Sequence, residues 1–324
     1  MNTLPCDRET IRTALSLASR APSIHNSQPW RWRVGTESLH LYADRDKHLP
    51  NTDPDSRDLL LSCGACLHHA VTALAALGWE CKVHRFPNPA EPDHLAAIEV
   101  FPRPATELDV ALAAAIPKRR TDRRLYSEWR VPPSEIALMG ARAARMGVML
   151  RKVESLPQLQ KIVAQAVWQH VKDYDYLSEL STWSGRHAAV AGVPARSTPK
   201  SYPGAPIPGR FFAGPALAQP DVPPADDAAV VVALGTKDDS PLARLRAGET
   251  TSMVLLTATA AGLASCPVTE PLEIAETRAA VRADVFGDSG YPQMLLRIGW
   301  APVNADPLPH TPRRPLSDVV DDID

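Results

Sequence analysis

Strongly one-signed charge is missing from this chain: 35 Lys and Arg stand against 37 Asp and Glu, a formal net charge of -2. That balance gives no electrostatic reason to expect nucleic acid or a membrane surface as partner. No apolar run approaches the ~20 residues that span a bilayer. The start, Met1 to Arg20, has no basic stretch followed by an apolar one, so no secretory signal is expected. Cysteine is scarce and odd in number: Cys6, Cys63, Cys66, Cys81 and Cys266. An odd set excludes a fully paired disulfide framework and points to reduced thiols in a cytoplasmic protein. A Gly-x-Gly-x-x-Gly dinucleotide fingerprint is absent too.

What is present is globular. The 324 residues are 44% hydrophobic and 22% charged, enough for one large core or two ordinary ones. Ile11, Leu15 and Leu17-Ala18 behind acidic residues predict a helix over 7–20. Residues 30–44 read as a hairpin. Ser56 is expected to cap a helix that Gly78 stops. Strands follow at 81–86 and 95–101, then a Pro-containing connector and a short Ala-rich helix. Beyond it the pattern predicts a helix over 133–146, a strand over 148–153 and one long helix over 156–180. A strand at 228–234, helices at 242–262 and 272–283, a strand at 293–300 and a polar tail complete the chain. Residues 187–226 hold nine prolines and no periodicity. A stretch that long is expected to be a lid or linker.

Two helices carry a faint repeat. Gly64 lies fourteen positions before Gly78, and Gly248 fourteen before Gly262, each with an Ala pair ahead of the closing glycine. A small residue early in a helix lets another backbone come close, and the closing glycine supplies a left-handed cap. The repeat suggests two related halves packed on one another.

Two short motifs carry most of the chemistry. Ala21 to Trp30, "APSIHNSQPW", puts small polar groups between two prolines at a helix-to-strand corner. Lys118 to Tyr126, "KRRTDRRLY", offers Arg119, Arg120 and Thr121 in succession and then Arg123. Two guanidinia and a hydroxyl suit a phosphate, which wants planar, charged, bidentate donors.

The first motif resembles the flavin-binding corner of the nitroreductase family, and the second its Arg-x-Ser/Thr-x-Arg signature, here in mid-chain. "GLASCPVTE", "PQMLLRIGWA" and "PRRPLSDVV" are similar to later landmarks of that family, in order. The arrangement resembles the Acg-like branch, in which one chain imitates a homodimer. The resemblance implies an α+β, nitroreductase-like fold. It has two related halves, 1–107 and 108–324, each with an antiparallel-rich sheet flanked by helices, forming an intrachain pseudo-dimer. The Pro-rich lid falls at about 187–226. It implies FMN as cofactor and NAD(P)H and a small-molecule acceptor as partners, with no nucleic acid, membrane or metal. The protein is then a monomeric pseudo-dimer, open to further oligomerisation, and an FMN-dependent oxidoreductase whose flavin N5 takes hydride for a nitroaromatic, quinone or similar acceptor. The alternative is a flavin-sequestering protein with a closed lid.

The resemblance also implies residue roles. Arg119 and Thr121 would hold the phosphate and ribityl end, with Arg120 beside them. Arg123 would face the N1/C2 carbonyl edge of the ring, and Arg313 or Arg314 would be a second phosphate arginine. Pro22, Ser23 and Asn26 would reach the flavin, with Gln28 and Trp30 bracing the corner. Thr269 and Glu270 would offer backbone amides to N5 and O4. No side chain is assigned as acid or base. With one corner and one arginine signature, one flavin site per chain is expected. Cys63-Gly-Ala-Cys66 is read as packing and His68-His69 as a helix surface or internal interface. His25 is left open between substrate and solvent. Trp168, Tyr174 and Tyr176 are read as core or lid, and the terminal "DDID" as a solvated tail.

Overall fold

The computed structural model describes residues 6–185, 190–202, 204–219 and 222–322. Expectations for 186–189, 203, 220–221 and 323–324 lie outside the described residues. In chain order the elements are α1 (Arg8–Ala18), β1 (Trp30–Val34), β2 (Leu39–Ala43), α2 (Arg57–Ala76), β3 (Trp79–Arg85), β4 (His94–Pro102), α3 (Glu107–Ala115), α4 (Pro133–Arg145) and β5 (Met149–Lys152). Then come α5 (Leu156–His170), α6 (Tyr174–Thr182), β6 (Val230–Thr236), α7 (Pro241–Ala260), β7 (Ala264–Val268), α8 (Glu270–Glu273), α9 (Ala275–Val281), β8 (Tyr291–Gly299) and β9 (Val320–Asp322).

The chain divides into two compact units. The first comprises Met1–Lys118, Ser240–Ala260 and Arg313–Asp324; the second, Arg119–Asp239 and Ala261–Pro312. The boundary near 107/108 therefore does not delimit a compact unit. The long helix α7 and residues 313–322 return to the first one, because their apolar and hydrogen-bonding faces are satisfied there.

The first unit carries a five-stranded sheet in the order β3-β4-β2-β1-β9. Its neighbours are antiparallel except β1 and β9, which run parallel with Trp32 opposite Val320. Trp30, Trp32, Leu41 and Ile98 from this sheet are fully buried with Leu15 of α1 and Leu67 and Leu74 of α2. Helix starts follow local chemistry. The Asp7 side chain accepts from the Thr10 amide at 2.8 Å to begin α1, and Thr106 and Asp109 form a reciprocal box at α3. At α2 the expected cap is corrected. Ser56 sits at the cap position in a left-handed conformation, φ 57°, and makes no capping bond. Asp53 does the work instead, accepting from the Asp58 and Leu59 amides at 2.9 and 2.8 Å.

By length and composition α2 is apolar enough to cross a membrane, which the sequence reading missed; its residues are mostly buried in the first unit. It packs along α7 more extensively than any other pair of elements. The crossing is set by two glycines. A Cβ on Gly64 would lie 2.1 Å from the Leu245 carbonyl oxygen, and one on Gly248 2.1 Å from the Leu61 carbonyl oxygen. Each glycine meets the residue three before the other, and His68 Nδ1 meets Ser252 Oγ at 2.8 Å across the same offset of 184 residues. Equivalent residues touching one another is the contact pattern of a two-fold axis. The repeat in the sequence is therefore physical: two equivalent helices cross at their equivalent glycines. Arg85 also grips Glu249 of α7 through two 2.8 Å bonds.

The second unit repeats the sheet. Its four strands run β7-β8-β6-β5, all antiparallel, matching β3-β4-β2-β1. Gly78 and Gly262 both have positive φ, 92° and 80°, ahead of β3 and β7. Val163, Val231, Ala233, Val281, Phe286 and Leu295 form its core. Where the first sheet has a tight hairpin between β1 and β2, the second inserts everything from 153 to 229 between β5 and β6. The long helix expected over 156–180 is two helices, because Asp173 caps a new start by accepting from the Tyr176 amide at 3.0 Å. The helix expected over 272–283 is likewise α8 and α9. Strands β7 and β9 have no counterpart in the sequence reading. β7 contains Pro267, tolerated because this strand lies on the sheet edge. β9 is three residues long and takes Asp321 of the supposed solvated tail, which faces Arg31 at 3.3 Å.

Gly64→Ala should destabilise the protein by about 1–3 kcal/mol or more, since backbone cannot step aside as a side chain can. Gly140→Ala, in α4 with nothing within 4 Å of the new carbon, should be neutral or stabilising by ~0.5–1 kcal/mol; urea melts of both variants check this. His68 is held down to about 4 by burial. The folded state therefore resists its protonation, and stability present above about pH 6.5 should fall as the pH drops toward 4. His68→Asn should flatten that part of the stability–pH profile.

Candidate functional site

The sequence-predicted residues fall in two clusters, one in each unit, and each cluster is described by itself. In the first unit the corner after α1 is tightly wound. Ile24–Asn26 form one 3-10 turn, and His25, Asn26 and Gln28 all have positive φ, 43°, 55° and 54°. Such conformations cost of order 1–3 kcal/mol each for non-glycine residues and persist only where the surroundings over-determine them. Here they are over-determined. Ser23 Oγ accepts from the Gln28 amide at 3.0 Å, Ser62 Oγ accepts from the Ile24 amide at 3.0 Å, and Gln28 Nε2 donates to the Asn26 carbonyl at 3.2 Å. His25, Asn26, Gln28 and Trp30 are buried, so His25 does not face solvent.

The "PRRP" segment clamps this corner. Arg313 donates from Nε to the Ser19 carbonyl at 3.0 Å and from a terminal nitrogen to the Arg20 and Ala21 carbonyls at 3.0 and 3.2 Å. It thus caps the end of α1 immediately before Pro22. The Arg314 amide donates to Gln28 Oε1 at 2.8 Å. Its guanidinium donates to the Gln28 carbonyl at 3.2 Å and pairs with Asp44 at 3.0 Å. Pro22, Ser23, Asn26, Arg313 and Arg314 are therefore brought together, with Gln28 as the brace the sequence suggested.

In the second unit Arg119 to Arg123 lie against the start of β7. Thr121 bridges Ser265, and the Asp122 amide donates to the Ser265 carbonyl at 3.0 Å. Asp122 and Arg124 form a buried two-pronged pair, 2.9 and 2.8 Å, that fixes this short extended stretch. Arg119 is buried, and Arg120 donates to the Arg119 carbonyl at 2.8 Å and to His310 at 2.6 Å. Arg123 is different. It is half-buried, donates to the Ser197 carbonyl at 3.2 Å and lies 4.9 Å above the Phe212 ring, and among the described residues it makes no ion pair. Burial, with the Arg210 charge adding to it, pulls its pKa below the ordinary arginine value. Ser265 Oγ and Ser197 Oγ are both buried and find no hydrogen-bond partner among the described residues.

Thr269 and Glu270 follow β7 directly. Their side chains are engaged: Thr269 Oγ1 accepts from Arg210 at 3.2 Å, and Glu270 Oε1 meets His170 Nδ1 at 3.1 Å. Arg210 also donates to Tyr176 Oη at 2.7 Å and pairs closely with Glu273. The His170 and Tyr176 rings stack with centroids 3.8 Å apart. Burial opposes the Arg210 charge, but Glu273 overrides it and holds the guanidinium above its ordinary pKa. Tyr176 is thus core, as read. Trp168 on α5 and Tyr174 at the start of α6 are exposed instead.

The Pro-rich stretch is ordered where it is described. The Val193 amide donates to the Trp183 carbonyl, the Gly185 amide donates to the Val193 carbonyl, Ala216 donates to Ala195, and Leu217 to Thr198. Sequence reasoning missed Ser197, Arg210, Phe212 and Ser265. Nothing local in their sequence context marks them, since each acquires its neighbours only through the fold. Cys63 and Cys66 lie in the first unit's core, as packing predicts.

No family model matches the chain. A protein of Mycobacterium tuberculosis (strain ATCC 25618 / H37Rv) named "Putative NAD(P)H nitroreductase Rv3131" is 66% identical over 322 residues, 99% of this chain and 94% of its own length. The chain belongs to the nitroreductase family. "Putative NAD(P)H nitroreductase acg" of the same strain is 38% identical over 96% of this chain and 95% of its own, which puts the chain in the Acg-like branch of that family. A nitroreductase with bound FMN from Desulfitobacterium hafniense DCB-2 superposes with a TM-score of 0.42 at 14% identity, covering 66% of this chain and 98% of that one. Membership rests on the full-length identities.

Removing the Arg210 cation leaves Glu273 buried without it, a change that typically costs about 3–5 kcal/mol. In Arg210→Met, limited proteolysis should cut within 190–219 at least about tenfold faster than in the parent, while cuts elsewhere stay unchanged.

Proposed function

We propose that this nitroreductase-family protein is an FMN-dependent oxidoreductase that draws hydride from NAD(P)H and delivers it to a nitroaromatic, quinone or similar small acceptor. The observation that carries the reading is Arg123: a guanidinium in poorly solvated surroundings, without an ion pair among the described residues, held on the carbonyl of Ser197, whose buried hydroxyl has no hydrogen-bond partner among the described residues. That donor set fits the polar edge of a flavin ring. The NAD(P)H in the name of the 66% identical relative supports the reductant.

FMN, when bound, supplies the redox step, accepting hydride and passing it on at N5. The protein's part is binding and electrostatics. Arg119 and Thr121 take the phosphate and ribityl end, with bidentate guanidinium geometry matched to phosphate oxygens. Arg120, shared with His310, adds positive charge at that end. Arg313 or Arg314 serves as a second phosphate arginine, each already fixed at the polar corner, Arg313 on the Ser19, Arg20 and Ala21 carbonyls and Arg314 on Gln28 and Asp44. Arg123 would lie at the ring as a preorganised cation able to stabilise negative charge there without solvent reorientation. Thr269 and Glu270 contribute through their amides, which donate to no described group. Pro22, Ser23 and Asn26 form a pre-set polar corner whose backbone cost is met in folding. One such site per chain, a monomeric pseudo-dimer and a cytoplasmic location complete the proposal; the five unbridged thiols support a reducing compartment.

A second reading has its own observation. The Pro-rich segment touches Arg123 through Ser197 and Phe212, and Thr269 through Arg210. A segment so anchored favours holding a flavin over repeated exchange of substrates. Anaerobic addition of NADPH or NADH to the yellow holoprotein separates the two. Rapid bleaching is expected of the oxidoreductase; reduction by dithionite alone would replace it with the storage reading. Arg119→Ala should purify without flavin, and Arg145→Ala, on the exposed face of α4, should keep it. Equal occupancy in the two would overturn the site.

A further inference from the structure

The Pro-rich segment does more than lie near the proposed site. Ser197 ends a short turn, Ala195–Ser197, that is held from both sides. Its amide donates to the Pro194 carbonyl at 2.9 Å, and the Ala195 carbonyl takes bonds from Ala216 and from both the amide and hydroxyl of Thr198. The turn is therefore fixed before any ligand arrives. From it the Ser197 carbonyl accepts from Arg123 at 3.2 Å. The hydroxyl of the same residue is more than nine-tenths buried and has no hydrogen-bond partner among the described residues. A buried hydroxyl left so is unfavourable, and its neighbour Thr198 shows that a local carbonyl was within reach of this turn.

A guanidinium can only donate, whereas a hydroxyl both donates and accepts. The pyrimidine edge of an isoalloxazine ring alternates the two roles. Its C2 and C4 carbonyls accept, and the N3–H between them donates. Arg123 can serve a carbonyl but can never receive the N3 proton. We propose that Ser197 is a flavin-contact residue supplied by the Pro-rich segment: its carbonyl fixes Arg123, and its hydroxyl accepts the hydrogen bond of the flavin N3–H. This rests on the FMN reading above. The segment then recognises the cofactor chemically, selecting a uracil-like edge, instead of merely covering it.

The test uses apoprotein titrated with FMN and with 3-methyl-FMN, which lacks the N3 proton, followed by quenching of flavin fluorescence. The parent protein should bind 3-methyl-FMN about tenfold or more weakly than FMN, the loss of one buried hydrogen bond. Ser197→Ala should weaken FMN binding by about the same factor and bind the two flavins within about twofold. Parent protein that binds both flavins equally would overturn the proposal, whatever the variant does. So would Ser197→Ala that binds FMN like the parent, or that keeps the tenfold preference. Parent protein that binds FMN not at all would sink the FMN reading and this one with it, a result distinguishable from the others. Should Ser197→Ala fold poorly, Ser197→Cys, whose thiol is a poor acceptor, should show the same loss of discrimination.

Discussion

The approach of α2 and α7 at Gly64 and Gly248 is the constraint on which the remaining architecture depends. Two helices whose backbones come within van der Waals reach cannot tolerate a Cβ at the crossing, and the clash distances are the same from both sides. A reciprocal contact between residues separated by one constant offset is what a homodimer axis produces. Here a single chain produces it, so α7 must leave its own half of the sequence and lodge in the first unit. Glu249, buried beside that crossing, is then obliged to find a cation, and Arg85 from β3 provides it. Burial pushes the Glu249 carboxyl up, and the two-pronged arginine opposes that shift.

Once the halves are covalently joined they are free to diverge. The sheets keep one strand order, but the connection between the first two strands differs: a hairpin in one, and 153–229 in the other. Ser197 and Phe212, which contact Arg123, and Arg210, which contacts Thr269, all come from that second connection. Divergence therefore concentrated on one side of the repeat. The motifs are asymmetric as well, with one arginine signature and one polar corner in the chain.

How much of this was legible beforehand depended on whether the physics was local. Capped helices, the hairpin and the Gly64/Gly248 repeat were readable, since periodicity and small-residue spacing are written in neighbouring positions. The Ser56 cap was misjudged because a better acceptor, Asp53, reaches over from five residues before Asp58. The two short strands escaped because β7 holds a proline and β9 only three residues. Arg119, Thr121 and Arg123 were singled out by motif, and Arg313 and Arg314 by resemblance to a later landmark; their cofactor roles belong to the proposal. Ser197 and Phe212 were invisible because their significance is a distance to Arg123 across more than seventy residues of chain. The bracing role of Gln28 was foreseen, yet the positive φ values that make the brace necessary were not.

The arginines of the signature divide by how their charge is met, and the division bears on function. Arg124 is matched by Asp122 in the core, as buried charges ordinarily are. Arg123, one residue earlier, makes no ion pair among the described residues and rests on a carbonyl and an aromatic face. A carbonyl and a ring stabilise a cation without cancelling it, so the guanidinium keeps its field for whatever approaches. Pairing Arg123 with a carboxylate would have made a more comfortable fold and removed that field. Both contacts that steady the uncancelled charge come from the Pro-rich segment, while Arg210 ties the same segment to Thr269 and Glu273. Holding the segment down thus keeps the cation aimed. On the proposed flavin reading, access for a second substrate and strength of the charge at the ring would be opposed, and the balance between them would decide between turnover and holding the ligand.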